Sequence, residues 1–474
     1  MKVQDQSDEV KALMPDWALA DALMGGTRAM RKAGKVYLPQ WPKESQEKYE
    51  RRLAQTTLLP TFQRTVRVMS AKPFSKPITL GDDVPARVKK LLENVDRQGN
   101  SLHSFSSDLM PRTLSHGLQG VLVDHPSIAL GSATMADAAG AEPYFVWIPC
   151  QRILGWRLET IEGAVRLTQL RISEAVEVPS GDFGTAVVDR VRVLEPGLWR
   201  LYEKPADATD YVLGDEGLCS TKEIPFVPFF GVKDGPMTGH SPLLELAYLN
   251  VKHWQSQSDQ DNLLHVARVP ILFAKGFDET DEIEVGTQHA VRTENVEAAL
   301  VYVEHTGDAI GAGQTSLEAL ERQMLQIGAE LLIAKPGGTR TATESNNEAD
   351  ANKSDLQRFA EQFEDSLDRC LGFMAEYLGE KTGGHVTLFK DYLAATLTDA
   401  SAQLIVTMAQ GGMITKETAL REQQRRGVLS SDIDPATEVQ AAKDEAPTMV
   451  DGATGLDDGG GAGGVVLRSV PPTA

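Results

Sequence analysis

The stretch SPLLELAYLNVKHWQSQSDQDNLLHV, residues 241–266, decides how the chain is organised. Ser241 offers a capping hydroxyl, and Pro242 follows at the first helical position, where a missing N–H costs nothing. A helix of roughly 25 residues then runs to about Val266, and Pro270 enforces its end. Leu243, Ala247, Val251 and Trp254 give it an apolar stripe at helical spacing. The stripe gives way to the polar run Gln255–Asn262, which no globular core takes up readily.

Downstream, strands are expected around Ile271–Ala274 and Ala299–Val303. Asp278, Glu279, Asp281, Glu282, Glu284, Glu294, Glu297, Glu304 and Asp308 stand there against one base, Arg292. A second helix is expected from Ser316 to about Ile333, with Leu317, Leu320, Met324, Ile327 and Leu331 forming a narrow seam. A Pro/Gly loop, residues 334–343, breaks it. Thr341 and Glu344 have capping-box spacing, and the next helix could reach Leu378, some 35 residues or roughly 50 Å. Its first turns, Ser345–Asp355, are polar all round; an apolar seam begins only at Leu356 and continues through Phe359, Phe363, Leu367, Cys370, Met374 and Tyr377. After a short strand at Val386–Phe389, two small helices are bounded by Asp399, Gly411-Gly412, Thr415 and Arg425-Arg426-Gly427. From Glu445 the Gly/Asp/Ala-rich composition cannot bury enough apolar area to order.

Upstream, Asp16–Ala33 reads as a helix interrupted at Gly25-Gly26, and Lys43–Val68 as another broken at Pro60. Val84–Asn94 and Leu102–His116 give two more, before a strand at Val121–Asp124. Tyr144–Ile148, Ala164–Ile172, Thr185–Val193 and Trp199–Tyr202 have the pattern of an antiparallel sheet. Pro225, Pro228 and the segment Gly235–Pro242 close that block.

Composition narrows the chemistry. The 474 residues carry a net charge of −20, against simple affinity for nucleic acid or anionic membrane. Only the first 76 residues are basic, with 14 Lys/Arg against 8 Asp/Glu. Three scattered cysteines exclude a disulfide scaffold and a CxxC zinc site, and no apolar run reaches about 18 residues, so a soluble, cytosolically made protein is expected. No GxxxxGK[ST], HExxH or GxSxG occurs, and Gly311-Ala-Gly313 lacks the third glycine of a dinucleotide loop. His240, His253 and His265 are too widely spaced to converge on a metal. No catalytic residue, metal or cofactor is assigned.

The acids Asp278, Glu279, Asp281, Glu282 and Glu284 admit a two-metal nuclease reading. Such sites gather acids from separate elements, whereas these are nearly consecutive, so a solvated acidic surface is the preferred reading. Arg28, Arg31, Lys32 and Lys35, with Lys48, Arg51 and Arg52, could touch phosphates; exposed helix faces with pairs such as Glu47–Arg51 are preferred. A monomeric adaptor or scaffold is the remaining alternative.

The order of these parts resembles a tailed-bacteriophage portal protein. His240–Asn250 is similar to the opening of a wing-to-stem helix, Leu317–Gly328 to a second stem helix, and Thr341-Ala-Thr-Glu344 to a tunnel-loop exit. Gly412–Thr418 through Arg426–Leu429 resembles the crown helices, and Pro15–Pro77 resembles a related phage group labelled only as a domain of unknown function.

The resemblance implies an α+β portal-protein fold, assembled as a ring. Its parts would be a wing over residues 1–240, stem helix 1 over 241–269, a small α/β clip over 270–312 and stem helix 2 over 313–333. A tunnel loop (334–343), a long tunnel/wing helix and return strand (344–397), a helical crown (398–444) and a disordered tail (445–474) would follow. It also implies a homo-oligomeric ring, usually of twelve subunits, at one capsid vertex of the virion, assembled in the host cytoplasm. Double-stranded DNA would pass through it. Its partners would be the terminase large subunit, the major capsid and scaffolding proteins, and head-completion or tail adaptor proteins, with no membrane. ATP hydrolysis belongs to the motor, so no enzyme is expected here.

In that frame the tunnel loop Lys335, Pro336, Gly337, Gly338, Thr339 and Arg340 would touch DNA lightly, with Lys353, Arg358, Lys252 and Arg268 as secondary contacts. The acids Asp278, Glu279, Asp281, Glu282 and Glu284 would form the clip's charged surface, repelling the duplex toward the axis, and Leu317, Leu320, Met324 and Ile327 would pack the stem. Portals often carry a ring of stem cations; Lys252 and Arg268 are the plausible members on the first stem helix.

Overall fold

Ser7 starts the first helix: its backbone is extended and its Oγ accepts from the Val10 N–H at 3.4 Å. The computed structural model describes residues 1–126, 142–205, 209–267, 271–276, 297–303, 308–330, 354–390, 392, 399–410, 413–425, 429 and 433–444. α1 (Asp8–Met24) thus begins ahead of the expected Asp16 and contains Pro15. A proline inside a helix forfeits a hydrogen bond; here Val10 before it and Trp17 after it are both buried in one apolar cluster, which holds the two halves in line. The break at Gly25-Gly26 falls where expected, before α2 (Gly26–Ala33). Pro60 likewise separates α3 (Gln46–Gln55) from α4 (Thr61–Ala71), and α5 (Ala86–Leu91) and α6 (Leu102–His116) follow.

α6 ends at Gly117, whose φ of +80° puts it in the left-handed region. A Cβ there would lie 2.1 Å from the backbone carbonyl carbon of His240. Glycine is therefore required on two counts, since the chain reverses while touching another backbone.

Gly117 leads into β2 (Leu118–Asp124), the centre of an antiparallel sheet ordered β3–β2–β9, with β3 at Tyr144–Pro149 and β9 at Phe226–Phe230. Alternation splits β2 between two cores. Val121 and Val123 join Phe145, Val227 and Phe229 in a cluster with the helices, while Leu118 and Leu122 join Ile148, Phe226 and Phe230 on the opposite face. Pro228 forms part of β9, although its proline argued for a terminator. An edge strand spares the missing donor.

The second sheet is a five-stranded meander, β4 (Ile153–Ile161), β5 (Ala164–Ser180), β6 (Gly184–Glu195), β7 (Leu198–Glu203) and β8 (Val212–Leu218), in that spatial order. β5 runs well past the expected Ile172. Its last pairing with β4 is Ile153 opposite Ile172, and β7 reaches only to Arg190 on β6. The ribbon from Ser173 to Asp189 therefore projects with no strand on either side.

Two-stranded pieces complete the strands: β1 (Thr79–Leu80) with β14 (Val386–Thr387), β10 (Val232–Lys233) with β11 (Gly239–His240), and β12 (Ile271–Lys275) with β13 (Ala299–Val303). The helical core is finished by α7 (Leu244–Ala267), α8 (Asp308–Glu330) and α9 (Asp355–Leu378). These elements belong to one unit, residues 1–392. The other unit, residues 393–474, contains α10 (Asp399–Gln410), α11 (Lys416–Arg425) and α12 (Pro435–Asp444). Thr415 caps α11, accepting from the Thr418 N–H at 3.1 Å. The architecture is α+β.

Candidate functional site

α7 and α8 pack side by side. His253, 2% exposed, meets Glu321 Oε1 at 3.1 Å, and Gln260 Nε2 donates to the Ile310 carbonyl at 3.0 Å. A Cβ on Gly313 would sit 2.1 Å from Gln260 Oε1, so a bare glycine lets this side chain cross between the helices. Gly311 and Gly313 both lie within α8.

The polar run Gln255–Asn262 does not simply face solvent, contrary to what its composition argued. Ser258 and Gln260 are buried. Gln255 Nε2 donates to the Tyr37 carbonyl at 3.0 Å, and Ser258 Oγ accepts from Thr56 Oγ1 at 2.9 Å and Arg52 Nη1 at 3.4 Å. Gln255 and Ser258 are thus taken up by polar partners from the N-terminal segment, and Asp261 and Asn262 stay exposed, an arrangement that periodicity does not reveal.

Arg52 is the residue missed most completely. Grouped by sequence with exposed basic faces, it is 5% exposed. Its Nε and Nη2 grip Glu44 at 2.9 and 2.8 Å, Nη2 also donates to the Pro39 carbonyl at 2.9 Å, and the guanidinium lies 4.1 Å from the Trp41 ring centroid. This hydrogen-bonded cation holds the Glu44 carboxyl below the usual carboxylate range. The neighbouring Arg51 does pair with Glu47, at 3.3 Å, on the surface.

The expected seam residues are buried within the chain itself: Leu317 (3%), Leu320 (6%) and Met324 (0%), with Ile327 partly buried against the helical core. Lys252 is exposed on α7. Arg358 is half-exposed, 3.7 Å from Asp355 in the first turn of α9. Arg268, Lys353, the segment Lys335–Arg340 expected to form a tunnel loop and the acids Asp278–Glu284 lie outside the described residues.

α9 corrects the expected helix from Glu344. Ser354 has extended backbone, and its Oγ accepts from the Gln357 N–H while Gln357 Oε1 accepts from the Ser354 N–H at 2.8 Å. This capping box starts the helix at Asp355, so a continuous 35-residue helix is not formed. Ser354-Asp-Leu-Gln357 carried that signal in the sequence.

One constellation has the outline of a hydrolytic triad: Ser115 Oγ lies 2.8 Å from His116 Nδ1, and His116 Nε2 2.9 Å from Asp21 Oδ1. Ser115 is 2% exposed and also donates to the Arg112 carbonyl, so its hydroxyl is not presented to a substrate. The set pins α6 to α1. Burial opposes ionisation of Asp21, but hydrogen bonds from His116 and Gln151 and the charge of His116 outweigh it and hold this carboxyl low. Among the described residues no group of three His, Cys, Asp or Glu could hold a metal ion, and no helix is long and apolar enough to cross a membrane. Cys150 and Cys370 are buried, which pushes both thiols far above their usual range.

Residues 242–378 match a family described as a domain of unknown function, DUF4055. The match begins beside α7, ends with α9 and does not extend to Pro15–Pro77. No curated protein matches the chain. Solved structures similar to it include a chain of the virion of a native gene transfer agent particle, 13% identical, over 84% of this chain and 98% of that one, TM-score 0.39. Chains of the neck of an empty gene transfer agent particle computed with C6 symmetry (14% identity, 77% and 89% coverage, TM-score 0.40) and of the neck of the native particle computed with C12 symmetry (14%, 78% and 89%, TM-score 0.40) are also similar.

Proposed function

We propose that this chain is a portal subunit, a non-enzymatic head-to-tail connector that forms a ring around double-stranded DNA at one capsid vertex of a virion. The observation that supports this most is the helix pair α7 and α8. Their 24 and 23 residues span roughly 35 Å at 1.5 Å per residue, and they flank the two-stranded β12–β13 segment. In the proposed ring these are the stem, with Leu317, Leu320, Met324 and Ile327 packing it, and residues 270–312 are the clip, its acids including Asp278–Glu284.

Lys335–Arg340 would meet the duplex from the tunnel loop, and Lys252, Arg268, Lys353 and Arg358 would make weaker contacts. Few phosphate contacts suit a channel through which DNA must slide, because each one adds salt-sensitive affinity. The terminase large subunit, capsid and scaffolding proteins, and tail adaptors would dock on this ring during assembly in the host cytoplasm.

Native light scattering followed by negative-stain imaging tests the reading. Twelve copies of the 51.5 kDa chain give about 618 kDa and a central hole. A ring with one subunit more or fewer keeps the function and corrects the stoichiometry. A strict monomer at all concentrations and salts overturns it.

A further inference from the structure

The five-stranded sheet carries a projection at one end and a cleft at the other. The projection is the β5–β6 ribbon, which extends about eight residues, roughly 25 Å, beyond any flanking strand. Beyond the charged residues Glu174, Arg190 and Arg192, one face carries the apolar cross-strand pairs Val176–Val188 and Val178–Ala186. At the tip, Phe183 is fully exposed. Asp182 adjoins it, Glu177 and Asp189 stand further back on the ribbon, none of the three forms a salt bridge among the described residues, and no Lys or Arg lies between Ala175 and Asp189. A lone hairpin gains little from its own contacts, so an apolar, acidic ribbon held out from a sheet has the make-up of one half of a contact.

The cleft has the opposite character. It is a cavity of about 530 Å³ at the β4–β5 turn, floored by the buried Ile224, Phe226 and Met237. Its rim carries four cations, Arg166, Lys222, Lys233 and Arg369, against one carboxylate, Glu223. Glu223 is shared between Arg166 at 2.9 Å and Arg369 at 3.6 Å; the Lys222 backbone N–H donates to Glu376 Oε1 at 3.1 Å, while neither the Lys222 nor the Lys233 ammonium forms a salt bridge among the described residues. A flat basic surface suits a phosphate backbone; a basic rim around an apolar floor suits an apolar side chain flanked by carboxylates.

We propose that the Phe183 tip of one copy seats in the Ile224–Phe226–Met237 cleft of the next, with Asp182 beside it facing the rim cations Arg166, Lys222, Lys233 and Arg369. Cleft and tip lie near opposite ends of β5, so the contact is head-to-tail, the type that propagates from copy to copy and closes into a ring. This contact rests on the ring reading above and names the surfaces that join its members.

The test places a photo-cross-linker in the full chain as Phe183→p-benzoylphenylalanine, in assemblies mixed from isotopically labelled and unlabelled copies. Irradiation is expected to join residue 183 to the segment Lys222–Met237 or to the neighbourhood of Arg369, between a labelled and an unlabelled copy. Lys222→Glu with Lys233→Glu, both exposed, is expected to cut that cross-link about tenfold, and adding Asp182→Lys to restore part of it. Rings that assemble yet give no such cross-link, or give one to another surface or within one copy, overturn this contact and leave the ring reading intact. Failure of the unmodified chain to assemble overturns both.

Discussion

The Arg52 guanidinium holds the Glu44 carboxylate through two parallel bonds, and both side chains are about 95% removed from solvent. The pair locks the loop ahead of α3 against α7, because the same guanidinium reaches Ser258. Glu44→Gln leaves a buried cation without its counter-charge and is expected to cost about 3–5 kcal/mol in urea unfolding. Arg52→Lys keeps the charge and loses the fork, and is expected to fall between wild type and Glu44→Gln. The sign with pH follows from the depressed Glu44. Its stabilisation is present above the unfolded value of about 4.3 and is lost as pH falls through the lower folded value, so the gap between wild type and Glu44→Gln narrows on acidification.

Gly117 predicts a sharper effect. Gly117→Ala forces a Cβ onto the His240 backbone at a positive φ, and no side-chain rotation relieves that clash. The variant is expected to lose at least about 3 kcal/mol, or to fail to fold, whereas Gly99→Ala, with positive φ and open space around it, should lose only about 1 kcal/mol. Thermal unfolding of the two variants separates the clash from the dihedral cost.

Ser354→Ala tests where α9 begins. Loss of the Oγ that accepts from Gln357 is expected to cost about 1 kcal/mol, with increased hydrogen exchange in the first turn, residues 355–358. An unchanged stability and exchange pattern would mean that the helix starts elsewhere.

The His385 Nδ1–H donates to Asp83 Oδ2 at 2.5 Å beside the β1–β14 pairing, and this partner raises the imidazole's pKa while His385 lowers that of Asp83. The contribution of a raised histidine is full below about pH 6.5 and fades as pH climbs through its higher folded value. Ring-proton NMR should find His385 titrating above that value, and Asp83→Asn should return it to ordinary. Exchange protection of Gly81 N–H, bonded to the His385 carbonyl, should fall at high pH in wild type alone.

Helices read well from the sequence wherever the breaks are chemical. Gly25 and Gly117 end helices and Pro60 stands at the start of α4, so the boundaries at α1/α2, α3/α4 and α6 could be seen without tertiary information. The strands were harder. β8, VLGDEGL, is a glycine-containing, largely exposed edge with little apolar alternation to find, and β9 hides behind Pro228 because only the spatial order of the sheet makes a proline tolerable there. Of the pair α7 and α8, the seam of α8 was legible from its spacing. The fate of Gln255–Asn262 was not, because its burial depends on Tyr37, Arg52 and Thr56, some two hundred residues away along the chain.

The two-residue pairing of Thr79 with Thr387 and Leu80 with Val386 sets an order of events during synthesis. At about 5–20 residues per second, Thr387 leaves the ribosome roughly 15–60 s after Thr79. Phe359, Phe363, Leu367 and Met374, which fill the cluster around Phe62, Leu109 and Leu114, are also made late. For most of that interval the N-terminal helices hold an apolar face with nothing to cover it. A nascent chain of this protein is thus a client for chaperones until its last core helix arrives, and a truncation before Asp355 releases a sticky fragment instead of a smaller folded protein.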